Sequence, residues 1–160
     1  MILKESFKKQ IWKLLTGSVW HTTSIDRYNS ILSDGEIKPE PNIPEGERWG
    51  MSYVRKLGGI SLFDFVDFNI DEYERDYPAH SLYHFIPCKT NWENAVWIEI
   101  DTAKLKMYID GKFLRDKWFK GIWKETGKYM GVVEGCHIGP MHIDNFKRVF
   151  IINHHQLLQG

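Results

Sequence analysis

The chain has 160 residues, 21 basic and 21 acidic side chains and therefore no formal net charge, and 42% hydrophobic residues. That length and composition suit one folded domain spanning 1–160 and exclude a disordered chain. The charge balance excludes a protein that coats nucleic acid through a broad basic field. Two cysteines, Cys88 and Cys136, are too few for a secreted disulfide scaffold and read as free thiols. The N-terminus MILKESFKKQIWKLL is too charged for a signal-peptide core, and no apolar run nears the ~18 residues of a membrane span. The expected location is cytoplasmic, with no membrane partner.

In chain order, Leu3, Phe7, Ile11, Leu14 and Leu15 fall on one face and predict an amphipathic helix over 3–15, ended by Gly17. SVWHT is a short strand. Ser24 is a good N-cap and Asp26 suits the first turn of a helix with Ile25, Tyr28, Ile31 and Leu32 as its buried stripe. Gly35 is the natural residue to end it, which makes residues 18 to 34 a β–α unit. EIKPEPNIPEGERWG, 36 to 50, carries three prolines and two glycines and predicts a long loop.

GGISLFDF, 58 to 65, is a second strand. A short helix is expected near 69 to 75 within an otherwise unassigned 66–94. AVWIEID, 95 to 101, alternates as a strand, and TAKLKMY begins with a helical turn capped by Thr102. DGKFLRDKWFKGIWKETG is basic and aromatic. A strand is expected around 129 to 138, broken by Pro140; HIDNF is a turn or short helix, and RVFIIN is the last strand. Helices and many short strands in this order predict an α+β fold.

Three positions carry candidate chemistry. His21 ends an apolar run beside Thr22 and Thr23, where a helix N-terminus follows. Such a trio can grip ribose hydroxyls or face a phosphate; equally, His21 is a satisfied buried histidine and Thr23 or Ser24 a cap. In ISLFDF, alternation puts Ser61, Phe63 and Phe65 on one face, which suits a slot for a flat ring or, more plainly, a sheet serine among core aromatics. Glu134 precedes Gly135, where another chain or a ligand can approach closely, and is a candidate acid, base or charge-stabilising group.

Cys136, His137, His142, His154 and His155 crowd the C-terminal quarter without the spacing of a zinc site, so no metal is expected. No P-loop, GxGxxG or GxSxG motif is present. DKWFKGIWK offers either base-stacking tryptophans with interleaved lysines or a core-packing helix with a solvated lysine face.

The order of these pieces is H-T, then I-x-x-I-L-x-x-G, SLFDF, VWIEID and VEGCHIGPM. It resembles the ADP-ribosyltransferase superfamily, and within it the DarT-type DNA ADP-ribosyltransferases and small bacterial relatives with a VSLFDF strand. The resemblance covers about 18 to 152. It implies a split, mostly antiparallel β core with short flanking helices, NAD as substrate, and transfer of ADP-ribose to a nucleic acid or protein, or NAD hydrolysis.

Carried over by residue, His21 with Thr22 and Thr23 would hold a ribose of NAD. Ser61, Phe63 and Phe65 would shape the nicotinamide slot, and Glu134 would be the catalytic carboxylate. Many relatives carry a tyrosine in that slot; ISLFDF has none, and Tyr53 upstream is the substitute. The loop before Glu134, roughly 118 to 131, would select the acceptor. Two alternatives remain within the fold: an RNA 2′-phosphotransferase-like enzyme using Arg48 or Arg55, and an inactive nucleotide- or partner-binding member. The enzyme reading requires His21 and Glu134 to face one cleft, and a Glu134 buried against the core would defeat it.

Overall fold

The computed structural model describes residues 5–44, 52–77, 86, 88–89, 92–121 and 127–153. The first helix, α1 (Glu5–Leu15), buries Ile11, Trp12 and Leu15; the predicted Leu3 lies outside the described residues. Strand β1 (Val19–Ser24) runs straight into α2 (Ile25–Asp34). The Ser24 hydroxyl accepts from the Arg27 N–H at 3.4 Å, and Gly35 closes the helix at φ 76°, a backbone state that costs glycine little. The expected stripe holds for Ile25, Tyr28 and Ile31, which pack on the core, but Leu32 is 45% exposed. It sits one position past the stripe, where the helix has turned its side chain outward.

The long loop begins with a two-residue strand, β2 (Glu36–Ile37), paired with β7 (Met141–His142). Then come α3 (Tyr53–Lys56), β3 (Gly59–Asp64), α4 (Ile70–Asp76), β4 (Asn94–Ile100), β5 (Tyr108–Ile109), α5 (Gly111–Lys120), β6 (Glu134–Ile138) and β8 (Phe146–Asn153). Two expectations need correction. The turn after β4 is a 3-10 turn with Asp101, not Thr102, in the cap position. The strand predicted around 129 to 138 starts only at Glu134, because Val132 adopts φ 76° and turns the chain just before it.

The fold is α+β. Its main sheet has six strands in the order β5-β6-β3-β1-β4-β8, and every pairing is antiparallel. Alternation gives the sheet two apolar faces. On one, Trp20, Phe63, Trp97 and Ala95 pack with α1, Phe65 and Phe68. On the other, Val19, Ile60, Leu62, Val96 and Ile98 pack with Ile37, Met141 and the inner stripe of α2. A sheet covered on both sides explains why β4 reads as an almost unbroken apolar run.

The sheet is not evenly paired. β1 and β4 are in register over six residues, from Val19↔Ile100 to Ser24↔Ala95. β1 and β3 share only Val19↔Asp64 and Trp20↔Phe63. Beyond Trp20 these two strands part, and the opening is where the candidate site lies. Among the described residues no helix is long and apolar enough to cross a membrane.

Candidate active site

The parting of β1 and β3 opens a cavity of about 580 Å³, within the usual size range of small-molecule sites. His21 and Thr23 share one face of β1 and Thr22 the other, because side chains alternate along a strand. The expected polar trio is therefore divided by the pleat. All three still line the cavity, which passes between the strands. On the far lip, Ser61 and Phe63 stand on the same face of β3, as the sequence predicted, and both line it too.

His21 bridges the gap. Its Nδ1 lies 3.2 Å from the Ser61 carbonyl oxygen, in place of the ladder bond that the parted strands no longer make. A carbonyl only accepts, so Nδ1 carries the proton. Burial lowers the imidazole pKa, partly offset by this bond. The ring is thus neutral at neutral pH, with Nε2 as an acceptor for a hydroxyl or amide N–H.

Glu134 starts β6 directly opposite Phe63 and is fully buried. It does not line the cavity. The Ser61 hydroxyl donates to its Oε1 at 2.5 Å and the Met130 N–H to its Oε2 at 2.7 Å. Burial raises its pKa, against the pull of those two donors. Both donors belong to residues that line the cavity. The requirement that His21 and Glu134 face one cleft is therefore not met: the carboxylate lies buried one hydrogen bond beneath the floor, and an enzyme reading stands only if Glu134 is uncovered when a ligand binds.

Two other expected site residues fall elsewhere. Phe65 is completely buried with Trp12 and Phe68 in the core. Tyr53 is completely buried with Val54, Leu114 and Cys136; its hydroxyl has no partner among the described residues. Neither lines the cavity, so Tyr53 does not replace the missing slot tyrosine. Its place on α3, after the capping Ser52, turns it into the core while Ser52, Val54 and Arg55 edge the cavity.

Other lining residues carried no motif in the sequence. Trp92 and Lys89 form a wall on the Phe63 side, with the Lys89 ammonium 5.6 Å from the Trp92 ring. Arg27, Ser30, Ile31 and Asp34 of α2 also line the cavity, with Glu36 and Lys38 just beyond the helix. The i, i+3 and i+7 spacing of Arg27, Ser30 and Asp34 was the one available signal. Arg55, named for the phosphotransferase alternative, lines the cavity with its guanidinium clasping Glu40 at 2.8 and 3.2 Å; Arg48 lies outside the described residues.

In α5, which leads into the segment expected to choose an acceptor, Trp118 packs inward, stacked on Tyr129 at 5.3 Å, and Leu114 is buried, while Lys112, Lys117 and Lys120 face solvent. That is the core-packing pattern; Trp123 lies outside the described residues. Among the described residues no group of three or more His, Cys, Asp or Glu side chains is placed to hold a metal; His154 and His155 lie outside them. Comparison with protein-family models, with curated proteins and with solved structures gives no match.

Proposed function

We propose that the chain cleaves NAD at the nicotinamide–ribose bond and transfers the ADP-ribosyl group to a macromolecule, nucleic acid or protein, or to water. The observation that carries this reading is the parted β1–β3 seam: His21 on one lip, Ser61 with its bond to Glu134 on the other, and the aromatic rings of Phe63 and Trp92 lining the same cavity.

Each part has a task in such a reaction. Phe63 and Trp92 suit the flat nicotinamide ring. Neutral His21 presents Nε2 to a ribose hydroxyl. When the C1′–N1 bond breaks, its electron pair leaves with nicotinamide and C1′ gains positive charge, as in glycoside cleavage. A carboxylate at that place stabilises the charge; Asp34 and Glu36 line the cavity beside α2, whereas Glu134 is the carboxylate bound by the lining residues Ser61 and Met130 of the seam. The acceptor oxygen or nitrogen then bonds C1′ and loses its proton.

A second reading, nucleotide binding without chemistry, is favoured by the burial of Glu134. Nicotinamide release from NAD by the wild type and by Glu134→Gln separates the two. Cleavage is expected in the wild type and a loss of ~100-fold or more in the variant. NAD binding with no release, in the presence of varied nucleic-acid and protein acceptors, would select the binding reading. Equal release by both proteins would remove Glu134 from the mechanism.

A further inference from the structure

Glu134 is fully buried, so no substrate reaches its carboxylate in this conformation. The turn that covers Glu134 suggests how it is uncovered. Residues 127–133 are pinned at both ends. Lys128 O accepts from the Tyr53 N–H at 2.7 Å, and a Cβ on Gly127 would come within 2.9 Å of the Tyr53 Cα, so that end is packed backbone to backbone. Tyr129 is held by the Trp118 stack and by its hydroxyl donating to Gly111 O at 3.4 Å. At the other end Val133 O accepts from the Asp64 N–H at 2.7 Å.

Between these pins lie Met130, Gly131 and Val132. The Met130 N–H is the group bound to Glu134, and Met130 lines the cavity, so a ligand filling that end meets Met130 before it meets the carboxylate. Val132 has φ 76° and is the only non-glycine residue at positive φ among the described residues. A β-branched residue there is a genuine outlier, and such strain persists only where the surroundings enforce it.

We infer that Met130–Val132 is a strained catch that holds Glu134 out of the cavity while no ligand is bound, and that its opening hands the carboxylate to the substrate. The occupant it opens for rests on the NAD reading above; the strain and the contact do not. In the closed state Glu134 is shielded from water and bound to Ser61 and Met130. In the open state Val132 relaxes to negative φ, the Met130 N–H leaves Oε2, and Ser61 alone retains the side chain.

A glycine at 132 relieves the strain, but it also removes the packing of Val132 against the core. The informative comparison is therefore Val132→Gly against Val132→Ala. Both lose the branched side chain, and only glycine accepts positive φ freely.

The first readout is hydrogen exchange at the Met130 amide in the ligand-free proteins. Exchange about fivefold or more slower in Val132→Gly than in Val132→Ala is expected, because relieving the strain makes opening rarer. The second is nicotinamide release, where kcat should be lower in Val132→Gly by a similar factor with KM unchanged. Equal Met130 exchange in the two variants would overturn the strained catch. Separated exchange with equal kcat would overturn its role in uncovering Glu134. Failure of the NAD reading shows differently, as no NAD binding and no release by the wild type, and the exchange comparison then decides the catch alone.

Discussion

The two sides of β1 are built from the same strand and behave as opposites. Toward β4 it is paired along its whole length, and the ladder continues to β8 through seven register pairs. Toward β3 it is paired for two residues and then lets go. On the first side Trp20, Trp97 and Phe150 interlock at ring distances of 5.4 to 6.4 Å. On the second side the side chains at the seam are His21, Thr22, Ser61 and Phe63, and a cavity stands where a ladder would be. A continuous ladder satisfies backbone groups and makes core. An interrupted one leaves carbonyls such as Ser61 O to be met by a side chain, and the space between becomes a binding site.

The largest effect should come from breaking the continuous side. Trp97→Ala empties a completely buried position among Trp20, Phe63 and Phe150 and should cost ~3–5 kcal/mol, seen as a collapse of the thermal transition. A Tm within a few degrees of wild type would contradict the division into core and site.

Glu134→Gln should do the reverse. It keeps the shape while removing a charge that burial disfavours. The folded-state pKa is raised, so folding binds protons more tightly and the wild type loses stability as pH rises above the usual carboxylate range. The variant's advantage in Tm should therefore grow from pH 4 to pH 8; a gap independent of pH would show that Glu134 is not the group that titrates.

For His21 the pKa is lowered on folding, so the unfolded chain binds the extra proton. Stability should rise with pH through the ordinary histidine range, and His21→Ala should flatten that rise. The same variant loses one hydrogen bond to Ser61 O and should cost ~1 kcal/mol in stability while weakening NAD binding about tenfold. Loss of stability without any change in NAD binding would return His21 to a purely structural role. The smallest effect belongs far from the seam: Phe119 is 56% exposed on α5, and Phe119→Ala should change stability by no more than ~0.5 kcal/mol.

Much of the frame was legible in the sequence where a local signal controls it. Ser24 and Gly35 bound α2 because a hydroxyl cap and a left-handed glycine are decided within a few residues. Ser61 and Phe63 were placed on one face by alternation alone. What escaped depends on distant partners. The strand SVWHT already divides His21 from Thr22 by alternation; what escaped is that β1 runs on to Ser24 and returns Thr23 to the His21 face. Tyr53 was misplaced because its direction is set by Leu114 and Cys136 on later elements. The burial of Glu134 depends on a turn that delays the start of the predicted strand, and Trp92 sits in a stretch with no periodicity to read.

A two-dimensional amide NMR titration of the wild type with NAD decides whether the parted strands bind the nucleotide. Shifts are expected on both lips of the seam, at His21 to Thr23 and at Gly59 to Phe63, together with Met130. Amides of Val149 and Ile151 on β8 should stay unmoved. Shifts confined to one lip, shifts centred on β8, or none at all at saturating NAD would contradict the assignment of the parted strands as the nucleotide site.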